Sequence, residues 1–187
     1  MIDLPGKIRA FVAVRIPDAV LAQLVSIQQQ LKCKFGDVSW TRAEAMHVTL
    51  QFLGNIESAR LPALEAALRQ AAGQIPSFEM ELAGLGSFGH RVLWVGVNRG
   101  VEPLSRLAEA VRRATKGFGA HEEERAFNAH VTLGRFRKSS PNVTRILRES
   151  GAPNFDSWRV SEFELLRSEL SPNEARHTGL GVFRLGE

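Results

Sequence analysis

His47-Val48-Thr49-Leu50 recurs unchanged as His130-Val131-Thr132-Leu133, 83 positions further along the chain. On a β-strand successive side chains point to opposite faces, so His47 shares a face with Thr49, and His130 with Thr132. Val48 and Leu50, like Val131 and Leu133, then point the other way, into apolar packing. Each strand thus offers an imidazole and a hydroxyl on one side and is anchored through the other. A lone histidine is more often structural than chemical. A duplicated His/Thr strand that uses two of only five histidines is a stronger signal.

The surroundings of the two tetrapeptides repeat as well. The apolar run from Ile8 to Ile16 reads as a buried strand. Pro17 and Asp18 then open a helix in which Val20, Leu21, Leu24, Ile27 and Leu31 recur at helical spacing. In the second half Arg91 to Val97 reads as a strand, and Pro103 to about Thr115 as a helix with Leu104, Leu107 and Val111 inward. From Val14 to His47 is 33 residues, and from Val95 to His130 is 35. The repeated unit is therefore strand–helix–strand, and two such lobes about a pseudo-two-fold would turn both imidazoles toward one cleft. Residues 1–187 are expected to form a single bilobal domain. Its class is α+β: a duplicated fold with two antiparallel β-sheets flanked by helices around a central cleft.

Between these landmarks, Val38 to Trp40 reads as a short strand, and the first motif strand is expected to stop at Gly54-Asn55. A helix follows from Ser58 to Ala72, then a strand through Phe78, Met80 and Leu82. Glycines 84, 86 and 89 mark a loop, and residues 116–126 another. Ser140-Pro141 caps a short helix to about Glu149. Strands over Trp158 to Leu166 and Gly179 to Leu185 are separated by a turn at Pro172-Asn173.

Composition limits the function classes. Hydrophobic residues make up 44% of 187, ordinary for a folded chain with a sizeable core. The formal net charge is +4, and 19 of the 24 basic residues are arginine, whose guanidinium fork suits bidentate phosphate contact. That balance fits a phosphate-bearing or nucleic-acid partner without identifying one. The single cysteine, Cys33, leaves no intramolecular disulfide and no Cys-based zinc site, and favours a reducing, cytoplasmic setting. No apolar run reaches membrane-spanning length, so no membrane partner is expected. Met1 to Pro17 lacks the pattern of a secretory leader and is expected to contain the first strand.

Histidine titrates near neutral pH, so one imidazole can accept a proton while the other donates one. Such a pair suits displacement at phosphorus: the neutral ring activates water, and the imidazolium protonates the departing oxygen. The hydroxyls of Thr49 and Thr132 can hydrogen-bond non-bridging phosphate oxygens, and Arg135 lies along the same strand segment to add charge. Metal binding is the competing use of two imidazoles. Neither motif carries an adjacent Asp, Glu or Cys, which makes two His and two Thr a poor ligand set.

On these residues the chain resembles the two-histidine (2H) phosphoesterase superfamily, whose signature is a pair of His-x-Thr-x motifs on opposed strands. It resembles in particular the RNA 2′,3′-cyclic phosphodiesterases, also called 2′-5′ RNA ligases. Their Arg-x-Phe-x-Ala opening is matched by Arg9-Ala10-Phe11-Val12-Ala13 followed by Pro17. The approach from Trp40 to Met46, the continuation Phe52-Leu53-Gly54, and the Gly84-Leu85-Gly86-x-Phe88 stretch are similar too. So are Arg91-Val92-Leu93-Trp94, Arg125-x-Phe127 and Phe163-x-Leu165.

The resemblance implies hydrolysis of a terminal 2′,3′-cyclic phosphate on RNA to a 2′-phosphomonoester, with no metal and no nucleotide cofactor. His47 would be the proton donor to the leaving 3′-oxygen and His130 the proton acceptor, with Thr49 and Thr132 holding the phosphate. Relatives also join tRNA halves through a 2′-5′ bond, so tRNA fragments are an expected partner and the enzyme is expected to be a monomer. Two positions depart from the family pattern. Ala129 stands where relatives often have proline. Arg176-His177-Thr178 stands where many have tyrosine, which this chain lacks altogether. For His177 an exposed turn and a ligand contact both stand open, while His90 and His121 read as solvent-facing. The alternatives to RNA ends are small cyclic nucleotides, 2′-5′ oligonucleotides, or binding of RNA or nucleotide without turnover.

Overall fold

The first strand, β1 (Lys7–Arg15), is buried on both faces from Ala10 to Val14, which makes it an interior strand of its sheet. The structure is a computed structural model and describes residues 5–119, 126–138, 140, 142–170 and 175–187. The remaining elements are α1 (Asp18–Lys32), β2 (Val38–Trp40), β3 (His47–Glu57), α2 (Leu61–Gly73), β4 (Phe78–Phe88) and β5 (Val92–Arg99). They continue with α3 (Val101–Ala114), β6 (His130–Phe136), α4 (Val143–Glu149), β7 (Trp158–Val160), β8 (Glu162–Leu170) and β9 (Ala175–Arg184). The expected loop at His121, the Arg125 lead, Pro141 and the turn at Pro172-Asn173 lie outside the described residues.

Among the described residues the strands form one nine-stranded sheet in the order β7-β4-β5-β6-β3-β1-β8-β9, with β2 also on β6. The two expected sheets are its halves. They meet at one antiparallel pair, Val48↔Val131. The strand–helix–strand units β1-α1-β3 and β5-α3-β6 lie on either side of that seam. One face carries the main core, where Val12, Val14, Val48, Leu93, Val95 and Val131 meet α1 through Leu24, α2 through Leu64 and α3 through Leu107. Among the described residues the buried cluster on the opposite face is the small one of Phe11, Ala13 and Leu166.

Several boundaries differ from the sequence reading. β3 runs through Gly54 to Glu57, because Gly54 takes φ +67 at a bulge and pairing with β1 resumes at Ala10 and Gly54. The glycines at 84 and 86 are not a loop but part of β4, and only Gly89-His90 turn, both at positive φ. Gly84 occupies a bulge opposite β5. Gly86 is glycine because an added Cβ would fall 2.1 Å from the Trp94 ring. The stretch from Trp158 to Leu166 divides: β7 pairs with β4 and β8 with β1. β9 starts at Ala175 rather than Gly179, and α4 begins after Asn142 rather than at Ser140.

Gln28 is the buried polar side chain that ties the seam to a helix. Its Nε2 donates to Thr41 O at 2.7 Å and to Leu133 O at 2.9 Å, where β6 passes from β3 to β2. Gln28→Leu leaves two carbonyls without that partner. It should lower unfolding free energy by about 1–3 kcal/mol, measured as a shift of the urea midpoint at unchanged slope.

Candidate active site

Both motif strands break their alternation at the same place. On β3, Thr49 pairs with Ala13 and Gln51 with Val12, leaving Leu50 as the extra residue. On β6, Thr132 pairs with Trp94 and Gly134 with Leu93, leaving Leu133 extra. Each bulge returns the residue five places after the histidine to the histidine's own face. That residue is Arg135 on β6 and Phe52 on β3. Strict alternation would send both away from the cleft.

The pair Val48↔Val131 sets His47 beside Thr132 and Thr49 beside His130, all four on the face away from the core. The structure thus brings together His47, His130, Thr49 and Thr132, and the bulge adds Arg135, whose charge acts on His130.

The two rings are held alike. His47 Nδ1 donates to Ala45 O at 2.8 Å and His130 Nδ1 donates to Asn128 O at 2.7 Å. A carbonyl can only accept, so the Nδ1 proton is fixed and Nε2 is the nitrogen left for chemistry.

Each ring also rests against a phenylalanine. Phe11 lies 4.8 Å from His47, and Phe88 lies 4.9 Å from His130 in an edge-on contact. Sequence reasoning did not place Phe52 in the site. It stands 6.0 Å from Phe11 and is 46% exposed, and no spacing signal marks the bulge that turns it there. His177 is not in a turn: it lies on β9 opposite Ser168, 5.2 Å from His47 and 4.9 Å from Phe11. A groove of about 770 Å³ opens beside His130 and Thr49, walled by Phe52, Phe88 and Phe127. Its far side is α3, through Ser105 and Arg112. His90 is exposed at the hairpin tip, away from these groups.

Electrostatics separate the two imidazoles. Burial, followed by the charges of His177, Arg15 and His130, lowers His47 to about 4, against the raising effect of its bond to Ala45. His130 is lowered too, first by burial and then by Arg135, against the raising effect of Asn128. His177 is lowered by burial and by Arg15. Arg15 itself is tied by Nε to Glu164 at 3.0 Å. Among the described residues no three His, Cys, Asp or Glu side chains are grouped as a metal site.

Comparison with known proteins places this arrangement in a family. The model of the 2′-5′ RNA ligase superfamily matches residues 16–172. The chain belongs to that superfamily. It is 32% identical to the RNA 2′,3′-cyclic phosphodiesterase of Archaeoglobus fulgidus, over 94% of this chain and 99% of the relative. Among solved structures of similar fold, one is a Thermus thermophilus protein with a TM-score of 0.81 and 30% identity, over 96% of this chain and 99% of that one. Another is Escherichia coli LigT complexed with 3′-AMP, with a TM-score of 0.78 and 26% identity, over 97% and 99%. The superfamily fold, a curled antiparallel sheet with flanking helices, is the one described above. Among the described residues no helix is long and apolar enough to cross a membrane.

The low value for His47 has a consequence for stability. An unfolded imidazole titrates near 6.5 and the folded one near 4, so the unfolded chain takes up the proton first. The contribution is fully present above pH 6.5 and is lost as the pH falls toward 4, on the order of 2–3 kcal/mol. Urea midpoints at about pH 7.5 and about pH 4.5 should therefore converge by roughly that amount in His47→Gln relative to the unsubstituted protein.

Proposed function

We propose that this chain hydrolyses the terminal 2′,3′-cyclic phosphate of RNA to a 2′-phosphomonoester, using two histidines and neither a metal nor a nucleotide cofactor. The observation that carries this reading is the matched tautomer lock: two imidazoles on neighbouring strands, each with Nδ1 bound to a carbonyl two residues upstream. The relative from Archaeoglobus fulgidus, similar over nearly its whole length, is an RNA 2′,3′-cyclic phosphodiesterase, which supports the same substrate. RNA ends, tRNA fragments among them, are the partners in this proposal. It takes residues 1–187 as one bilobal, internally duplicated unit acting as a monomer in the cytoplasm.

In the reaction His130 Nε2 takes a proton from water as the water oxygen attacks phosphorus. The bond from phosphorus to the 3′-oxygen breaks, and His47 donates its Nε2 proton to that oxygen. The products are a 2′-phosphomonoester and a free 3′-hydroxyl. His130 is then charged and His47 neutral, and exchange with solvent restores the starting pair. Thr49 and Thr132 donate hydrogen bonds to non-bridging oxygens, and Arg135 balances charge that builds on them. A 5′-hydroxyl in place of water would give a 2′-5′ bond by the same proton movements.

His47 must be protonated to act as the acid, yet free of substrate it titrates near 4. A bound phosphate anion beside the ring opposes the surrounding positive charges and raises it. The bell-shaped pH profile of kcat/KM, which reports the free enzyme, should lie on the acid side of that of kcat, which reports the complex. Coincident profiles would overturn this assignment of the acid.

Product analysis of an oligonucleotide ending in a 2′,3′-cyclic phosphate should find the phosphate at the 2′ position. His47→Ala and His130→Ala should each lower kcat at least about a hundredfold, with binding much less affected. Full activity in either variant, or a 3′-phosphate product, would remove the proposed roles.

A further inference from the structure

Each motif histidine has its phenylalanine, but His47 also meets a second imidazole. The His177 ring lies 5.2 Å from it, edge-on at 74°. Phe11 lies 4.9 Å from His177 and 4.8 Å from His47, so the three rings close a triangle in which each touches the other two. Register explains the meeting. His177 stands opposite Ser168 on β8, and Gly179 opposite Leu166, a residue of the small apolar cluster on the cleft face. Leu166 in turn stands opposite Phe11. Paired residues share a face, so β9 turns His177 over the same side of the sheet as the motif histidines.

The Nδ1 atom of His177 is buried and has no hydrogen-bond partner among the described residues. A neutral imidazole has one N–H and one lone-pair nitrogen, and a buried donor is left unpaired more rarely than an acceptor. The proton therefore belongs on Nε2, the reverse of the tautomer held at His47 and His130. A charged ring would carry N–H at both nitrogens and bury one of them without an acceptor. The neighbouring charges act in the same direction. From β1, Arg15 acts on both imidazoles and is only partly offset by Glu164 of β8 at 3.0 Å. From β3 comes His47 itself. The single helical turn Ala43–Ala45, packed beside β9, adds Glu44, which is exposed. Glu65 and Arg69 of α2 lie on the other face of β9, against Gly181 and Phe183.

We propose that His177 is a positioning residue for His47: with Phe11 it clamps that imidazole, and the site works only while the His177 ring is uncharged. The inference rests on the cyclic phosphodiesterase reading, in which His47 is the acid. Two imidazolium rings in contact repel each other, so a proton gained by His177 is set against the proton that His47 must hold. Charging His177 also strands its buried Nδ1–H, which loosens the ring from the triangle. The site is thus silenced at low pH through two imidazoles: His130, which loses its function as base, and His177, which releases the acid. His130 has no such neighbour. Its other side is the open groove.

The test uses the full chain, its His177→Ala and His177→Phe variants, and an oligonucleotide ending in a 2′,3′-cyclic phosphate. His177→Ala removes the ring and should lower kcat roughly tenfold at about pH 7.5, while His177→Phe restores a ring and should recover most of that loss. The pH profile separates clamp from filler. In the complex His47 already holds its proton, so further protons on His130 and on His177 each stop turnover. On the acid side log kcat of the unsubstituted protein should fall with a slope approaching about 2, and that of His177→Phe with a slope of about 1. In the free protein the His47 ring, followed by NMR, should titrate at higher pH in His177→Phe, because the like charge beside it is gone. An acid slope of about 1 in the unsubstituted protein, equal losses in the two variants, or a His47 titration unmoved by His177→Phe would overturn the clamp. The NMR titration needs no turnover. A His47 titration that moves in a protein leaving the oligonucleotide intact would uphold the coupling of the two rings and remove the phosphodiesterase reading alone.

Discussion

The antiparallel pair Val48↔Val131 joins two half-sheets that otherwise belong to different parts of the chain. Strand periodicity does the rest: with both valines in the core, the residues on either side of each must face the cleft. Four motif side chains therefore converge from the strands themselves, and the carbonyls of Ala45 and Asn128 just before each strand set the ring orientations. The seam is narrow because β6 passes from β3 to β2 within a few residues, and Gln28 bridges that crossing from α1. Rigid elements on both sides hold the two imidazoles, which acid/base chemistry requires.

The histidine repeat was legible because a duplicated strand carries its chemistry and its packing in the same four residues. The helices were legible because their apolar faces recur at 3.6 residues, as Leu61, Leu64 and Leu68 do on α2. What escaped the sequence was irregular or nonlocal. Gly84 and Gly86 read as loop residues, yet one sits in a bulge and the other lies under the Trp94 indole, contacts that no local pattern encodes. The place of His177 depends on β8 pairing with both β1 and β9, which its own neighbours in sequence do not announce. Phe52 was hidden for a third reason: one extra residue, Leu50, reverses its face, and a second bulge at Leu53 restores the original alternation from Gly54 on.

Those bulges occur at the same motif position on both strands, so the two halves remain comparable where they leave regular geometry. Similar scaffolding makes the chemical differences informative. Each histidine has its carbonyl anchor and its phenylalanine, but His47 has a second imidazole against it where His130 faces an open groove. Five residues beyond each histidine, one half has an aromatic ring and the other a guanidinium. A symmetric frame would bind a phosphate with no preferred direction. The unequal walls and unequal charge are what can orient a substrate whose two sides differ.

The same inequality bears on how the site meets an anion. His47 is surrounded by His177, Arg15 and His130, and burial removes the water that would screen them. Holding a proton there without a counter-charge is unfavourable, and Arg15 is only partly offset by Glu164 at 3.0 Å. A phosphate placed between the two motifs supplies the missing negative charge at the point where these positive groups converge. Binding and protonation are therefore linked: the anion that raises His47 is bound more tightly by the protonated site, by the same free energy. If His47 is the acid, as proposed, it is charged in the complex rather than in the free protein, and the burial that lowers its basicity also ties its proton to the presence of substrate.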